Sequence, residues 1–199
     1  MILNKNIKSY RIILASQSPR RKMLLEGLDL TFDVIVRNNI DESYPSDLSM
    51  TEIPEFLAKS KSDHYLDLID KNTILITADT IVWHNHEILG KPLNVQEAYE
   101  LISRLSGNKH TVVTGVCLRS LDKMKIFHSI SNVTFRKLRH EEIYYYVTHY
   151  KPLDKAGAYG IQEWIGYVGI EKIEGSFYNV MGLPVQMLYN ELIDFIENQ

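Results

Sequence analysis

The sequence predicts an α/β domain built on a mixed sheet with flanking helices. Three observations predict it. Short apolar runs of strand length, such as residues 12–15 and 74–76, alternate with stretches of helical period. Two pairs of alternating segments are separated by turns short enough for hairpins. No tandem repeat, low-complexity tract or Pro/Gly-rich linker interrupts the chain, so residues 1–199 read as a single domain.

Composition bounds the function. The chain has 199 residues, 45% of them hydrophobic and 24% charged, close to the globular average. Twenty-two basic against 25 acidic residues leave a formal charge of −3, which gives no general reason to bind a duplex or an anionic membrane. Any phosphate chemistry must then come from a local cluster of cations. No apolar run approaches the roughly 20 residues that cross a bilayer. The opening stretch MILNKNIKSYRIILAS lacks the apolar core and cleavage pattern of a signal peptide, so a cytoplasmic protein is expected. The lone Cys117 excludes an internal disulfide and a multi-cysteine zinc site. Its apolar surroundings, TVVTGVCLRS, mark it as a buried core residue.

Taken in order, residues 11–15 (RIILA) read as a short buried strand. Ser16, Gln17 and Ser18 can cap the helix that follows, Pro19 suits its first turn, and the helix stops near Gly27. Residues 31–36 read as a second strand. A polar stretch then leads to the capping-box pattern Ser49-x-x-Glu52 and a helix from 52 to about 68, with Pro54 tolerable only in its first turn. Residues 73–78 (TILITA) read as a buried strand ending at Asp79. Residues 81–83 and 87–89 flank His84-Asn85-His86 as a hairpin. Residues 95–105 carry apolar positions at helical spacing and stop at Ser106-Gly107. Alternating strands at 111–120 and 125–135, a helix at 140–150, a glycine-punctuated loop DKAGAYGIQ, a strand at 167–173 and a helix from Pro184 to about 196 complete the chain.

The turn Ser16-Gln17-Ser18-Pro19-Arg20-Arg21 is the first candidate site. A strand-to-helix turn exposes unpaired backbone N–H groups and the positive end of the helix dipole, and both attract phosphate. Ser16 and Ser18 add hydroxyls; Arg20 and Arg21 add forked donors suited to phosphate oxygens. The plainer alternative is a capped helix with two solvated arginines. That placement goes against the dipole's preference for acids in the first turn, and a local rule broken at one spot points to function. Asp79, just past an apolar strand, lies where ligands gather in open α/β sheets. A carboxylate there could hold Mg²⁺ or take a proton from water, although Asp also favours turns. Asp41-Glu42 offers a further carboxylate pair in what is otherwise an exposed acidic loop.

Lys91 lies between Gly90 and Pro92, on a bend. Lys59 and Lys61, two apart on one helix, point about 200° apart, so at most one of them faces a common site. His84, His86 and Glu87 resemble a metal cluster, but their place in a tight turn argues against it. Tyr144-Tyr145-Tyr146 point in too many directions round a helix to form a stacking platform, which favours core packing with a surface or interface tyrosine.

Together and in this order, these segments resemble the Maf family of septum-formation-inhibitor-like nucleotide pyrophosphatases. The resemblance spans residues 11–195. It rests on SQSPRR, the Asp41-Glu42 loop, Leu57-Ala58-x-x-Lys61, Ala78-Asp79-Thr80, Gly90-Lys91-Pro92, Ser106-Gly107 before His110, Thr114-Gly115, DKAGAYGIQ, and Gly175-Ser176-Phe177 with Asn179 to Pro184. It implies hydrolysis of a nucleoside triphosphate to the monophosphate and pyrophosphate with Mg²⁺ or Mn²⁺. It also implies the Maf/ITPase-like fold, a central twisted mixed sheet with a deep cleft between two lobes, and a homodimer.

By position, Asp79 matches the family's general base, Ser16, Arg20, Glu42, Lys61 and Lys91 match its other active-site polar groups, and Arg21, Thr80 and Gln162 match positions of substrate choice. Read on their chemistry, Glu42 and Asp79 could serve as metal ligands, while Arg20, Lys61 and Lys91, with the hydroxyls of Ser16 and Ser18, would hold the triphosphate. Pro-Arg-Arg, Asp-Thr and Gly-Ile-Gln resemble the branch acting on dTTP and UTP, in which an amide such as Gln162 can both donate to and accept from a pyrimidine edge. Ser60, Ser62 and Met181 depart mildly from the family pattern, away from these groups. Two alternatives stay open at this point: a nucleotide-binding regulator of septum formation and cell division, and the same reaction on CTP or 7-methyl-GTP.

Overall fold

In the computed structural model the described residues are 7–197; the first six residues, within the stretch read above for a signal peptide, and the last two lie outside them. The strands are β1 (Arg11–Leu14), β2 (Asp33–Val34), β3 (Thr73–His84), β4 (Glu87–Leu89), β5 (Lys109–Arg119), β6 (Met124–Phe135) and β7 (Ile170–Glu174). The helices are α1 (Pro19–Glu26), α2 (Glu52–Asp63), α3 (Val95–Leu105), α4 (His140–Tyr150), α5 (Trp164–Gly169), α6 (Phe177–Met181) and α7 (Val185–Glu197). The sheet is mixed and seven-stranded, in the order β2-β1-β3-β5-β6-β7, with β4 paired to β3. β1 lies parallel to both β2 and β3, whereas β3–β4 and β6–β7 are antiparallel.

The described residues divide into two compact units. One holds residues 7–79, 114–129 and 182–197; the other holds 80–113 and 130–181. β3, β5 and β6 each give residues to both, and along β3 the division falls between Asp79 and Thr80.

In the first unit, β1 and the start of β3 are apolar on both faces because helices and loops cover both. Ile13, Ala15, Tyr65 and Leu75 form one core cluster, closed by Ile35, Ile40, Leu68 and Ile69. Helix α2 lies directly on the sheet. A Cβ on Gly115 would sit 2.4 Å from the carbonyl carbon and oxygen of Pro54, so only glycine lets the first turn of α2 approach β5 this closely. The Thr77 hydroxyl, donating to the Ala58 carbonyl at 2.6 Å, fixes the middle of the same helix on β3. These two contacts set the height and rotation of the helix that carries Lys61.

In the second unit, Asn85 and His86 both adopt left-handed φ, 50° and 65°, which closes the β3–β4 hairpin as a two-residue turn. The Gly175–Asn179 segment is structural. Gly175 has φ +121° and faces the Ile130 carbonyl, and the buried Asn179 amide donates to the Val112 carbonyl at 3.1 Å and the Ser131 hydroxyl at 2.9 Å.

Four expectations are corrected. β3 does not end at Asp79 but runs to His84, because its second half pairs with β4 through Val82, Trp83 and His84. The strand expected at 31–36 shrinks to Asp33–Val34, since β1 presents only Ile13 and Leu14 as partners there. The helix expected to reach 68 ends at Asp63, and Leu66–Leu68 forms a separate 3-10 turn. The strand expected at 167–173 begins only at Ile170. Residues 164–169 are helical because Gly166 packs against the Ile161 carbonyl more tightly than any side chain allows, overriding the β preference of Tyr167 and Val168.

Candidate active site

The first unit gathers most of the site residues expected from the sequence. Ser18 caps α1 as expected: its hydroxyl accepts the Arg21 N–H at 3.4 Å, with Pro19 in the first turn and no acidic residue there. Ser16 accepts the Ser18 N–H at 3.2 Å and an Arg21 guanidinium N–H at 3.5 Å. Arg21 also donates through Nε to the Gly182 carbonyl at 2.8 Å, so its side chain is held at a defined place rather than solvated. Burial lowers the Arg21 pKa; the charge of Asp79 opposes that, neighbouring Arg20 adds to it, and Glu42 opposes it again. Two arginines and two carboxylates therefore feel one another at the start of α1.

Lys61 joins the carboxylates. Its ammonium lies 2.5 Å from Asp79 Oδ1 and 2.7 Å from Glu42 Oε1. The Lys61 and Asp79 side chains are only 14% and 13% exposed, whereas Glu42 is 47% exposed. The Coulombic attraction is thus strongest on the Asp79 side, while Glu42 reaches in from a solvated loop. Lys59 turns away to Asp63 at 3.1 Å, as its two-residue offset from Lys61 requires. Asp79 sits mid-strand at the point where the continuous burial of 73–78 gives way to half-buried positions. Its site is therefore an interruption within a long strand, not a strand end.

The remaining expected residues belong to the second unit. Thr80 is half-buried on β3, and Lys91 is exposed just after β4, where the Gly90 carbonyl accepts the Gly157 N–H at 3.0 Å. Gln162 follows Ile161 in the loop before α5, and its side-chain carbonyl oxygen is buried with no hydrogen-bond partner among the described residues. A buried acceptor left open in this way is costly unless something completes it.

His84, considered as a metal ligand, is instead the buried last residue of β3, with Nδ1 3.2 Å from the Lys109 carbonyl oxygen. Cys117 is fully buried as expected, and burial raises its thiol pKa. Of the three tyrosines, Tyr146 is fully buried while Tyr144 and Tyr145 are exposed. Sequence reasoning missed one polar group of consequence, Glu163, which binds Lys155 and Tyr146. Its position beside Gln162 in DKAGAYGIQE was the available signal.

Among the described residues no three His, Cys, Asp or Glu side chains converge to hold a metal. Mg²⁺, however, is commonly held by one or two carboxylates with water and substrate phosphates completing its shell. Glu42 and Asp79, two hard oxygen donors within reach of one ammonium, fit that pattern. Among the described residues, no helix is long and apolar enough to cross a membrane.

A sheltered carboxylate among fixed cations at a strand-to-helix turn defines a site for polyanion chemistry. The family model described as Maf-like protein matches residues 11–195. The chain belongs to the Maf family. It is 55% identical over 191 residues to the dTTP/UTP pyrophosphatase of Parabacteroides distasonis, covering 96% of this chain and 99% of that one. It is 52% identical to the dTTP/UTP pyrophosphatase of Bacteroides thetaiotaomicron, over 94% and 97% of the two chains. With the dTTP/UTP pyrophosphatase of Porphyromonas gingivalis it shares 51% identity over 97% and 98%.

Proposed function

We propose that this chain is a nucleoside triphosphate pyrophosphatase that hydrolyses dTTP and UTP to the monophosphate and pyrophosphate. The observation that carries the reading is the arrangement of Lys61 between Asp79 and Glu42 beside the Arg20–Arg21 turn. Pure binding of a polyanion needs cations, but it gains nothing from a sheltered carboxylate, which repels phosphate. A hydrolase needs both. The relatives' shared name and the family's sequence pattern support the choice of nucleotide.

In this reading, water attacks the α-phosphorus, a bond forms from its oxygen to phosphorus, and the bond to the bridging oxygen breaks. Asp79 orients the water and accepts its proton. Lys61 fixes the Asp79 carboxylate and, with Arg20, offsets charge gathering on the leaving pyrophosphate. The α1 N-terminus, with Ser16 and Ser18, offers backbone and hydroxyl donors to phosphate oxygens. Lys91 is assigned to the polyphosphate, and Arg21, Thr80 and Gln162 to nucleotide choice, with the open Gln162 oxygen suited to a pyrimidine N–H. A divalent metal held by Glu42 and Asp79 would supply charge neutralisation on the phosphates. A homodimer in the cytoplasm belongs to the same reading.

Product analysis tests it. The protein is incubated with dTTP, UTP, CTP, GTP and 7-methyl-GTP and Mg²⁺ or Mn²⁺, and products are separated by chromatography. Monophosphate and pyrophosphate from dTTP and UTP are expected. Turnover of 7-methyl-GTP alone would discard the roles of Arg21, Thr80 and Gln162, and binding with no turnover of any nucleotide would overturn the enzymatic reading.

A further inference from the structure

The loop 155–163 of the second unit contains a buried polar network that the proposed reaction does not use. Lys155 is only 8% exposed, and its ammonium lies 2.7 Å from Asp154 Oδ1 and 3.1 Å from Glu163 Oε1. The other carboxylate oxygen of Glu163 accepts the hydroxyl proton of Tyr146, a fully buried residue of α4. The same hydroxyl accepts the Gly160 N–H at 3.0 Å. Burial, and then the Glu163 carboxylate, push the Tyr146 phenol far above its ordinary pKa, so it stays protonated and donates.

One tyrosine hydroxyl thus grips the loop at residues 160 and 163, on either side of Gln162. The Glu163 N–H closes the span by donating to the Gly160 carbonyl at 3.0 Å. Gly160 is the wall against which both side chains rest: a Cβ there would lie 2.8 Å from the Glu163 carboxyl carbon and 3.1 Å from the Gln162 amide nitrogen. The Gln162 oxygen meanwhile has no hydrogen-bond partner among the described residues.

Sheltering an ammonium, a carboxylate and a phenol around one loop adds little to stability, since apolar side chains of similar volume do as well or better. What such a network supplies is a single geometry, in which every member is satisfied only when the loop has one shape. We infer that Lys155, Glu163 and Tyr146 form a positioning network that fixes the side-chain amide of Gln162 and thereby sets the nucleotide selectivity of the enzyme. The inference rests on the proposed function, in which Gln162 meets the base. None of the three residues touches the reacting atoms; they act through Gln162.

The test compares Tyr146→Phe, Glu163→Gln and Gln162→Ala in the full chain. Glu163→Gln keeps the reach and one acceptor oxygen, enough for the Tyr146 hydroxyl, but turns the acceptor that faces Lys155 into a donor, and serves as the intermediate variant. Two readouts are taken. In the free protein, the side-chain amide resonances of Gln162, assigned by their loss in Gln162→Ala, report its orientation without any substrate. In turnover, kcat and KM are measured for dTTP, UTP and CTP.

The expected result is that Tyr146→Phe moves the Gln162 amide resonances toward averaged values and raises KM for dTTP about tenfold, the scale of one lost hydrogen bond to a charged or anchored group. kcat should hold within about threefold and the preference for dTTP over CTP should collapse, because the lost interaction serves binding rather than the chemical step. Glu163→Gln should fall between the native chain and Tyr146→Phe in both readouts, since its one acceptor oxygen can hold the Tyr146 hydroxyl but leaves Lys155 without that partner. Unmoved Gln162 resonances in a folded Tyr146→Phe variant overturn the positioning role. Moved resonances with unchanged selectivity, in both Tyr146→Phe and Gln162→Ala, overturn instead the assignment of Gln162 to the base. Equal loss of kcat on every nucleotide overturns the network's link to selectivity.

Discussion

His110 makes a prediction that the structure allows to be worked through. The side chain is 2% exposed, its Nε2 hydrogen-bonds the Tyr159 hydroxyl at 2.7 Å, and its ring stacks on Phe135 with centroids 5.7 Å apart. Burial, with a smaller contribution from nearby His84, lowers its pKa from 6.5 to about 3. The folded protein therefore keeps His110 neutral under conditions where the unfolded chain binds a proton. Stability from this group is fully present above pH 6.5 and is lost as pH falls toward the folded value.

Between pH 6.5 and 5 the loss amounts to about 2 kcal/mol, one proton per molecule at 1.36 kcal/mol per unit. The two carboxylates held lowest act outside this window. Glu142, held at about 2 by its hydrogen bonds from Arg136, and Glu174, held at about 2 by Lys109 and Lys172, act only below their ordinary value of 4.5. Urea unfolding followed by fluorescence reads the effect well, because both tryptophans, Trp83 and Trp164, lie in the same unit as His110. With a slope near 2 kcal/mol per molar urea, the midpoint should fall by about 1 M from pH 7 to pH 5. His110→Leu should be less stable at pH 7, having left the Tyr159 hydroxyl unpaired, yet should lose much less than the native chain on acidification. Equal pH dependence in the two proteins would refute the argument.

Asp79→Asn should cut turnover at least about a hundredfold while nucleotide binding, measured by calorimetry, stays within a few-fold, since the amide cannot take a proton; unchanged turnover would remove Asp79 from the chemistry. Gly115→Ala should destabilise the fold by about 3 kcal/mol or more, because the new Cβ meets backbone of α2 that has no room to yield; a thermal midpoint unchanged within error would contradict the close approach. Arg21→Trp combined with Gln162→Glu should weaken dTTP turnover far more than Mn²⁺ binding, and matched losses of both would assign these residues to the fold or the metal. In dTTP product analysis, pyrophosphate should appear as one species without an earlier rise in diphosphate, as attack at the α-phosphorus requires.

The helices at 95–105 and 140–150 were legible in the sequence because their local helical signals agree with their packing. The Ser18 cap, Pro19 and the two arginines of α1 were equally legible, since capping is a matter of neighbours in sequence. The site's composition was also readable: polar residues that break local rules at SQSPRR and at Asp79-Thr80 stand out against apolar runs. The course of β3 was not. Strand limits depend on which partner strand continues to offer hydrogen bonds, and β4 extends β3 past two half-buried residues that look like an ending. The same dependence on a partner strand shortened β2, whereas the helix at Trp164–Gly169 turns on a close local approach, Gly166 to the Ile161 carbonyl, that no propensity records.

By itself, then, the sequence determined the fold class, most elements, the family resemblance and a list of candidate site residues. Only the tertiary structure decided that Lys61, and not Lys59, joins Asp79 and Glu42, that Arg21 is tied to the Gly182 carbonyl, and that Gly115 admits α2 onto the sheet. It alone revealed the grip of Tyr146 and Glu163 around Gln162. Local patterns record what each residue prefers next to its neighbours. Ion pairs and close backbone contacts join residues far apart in the chain, and their geometry exists only once the sheet has brought them together.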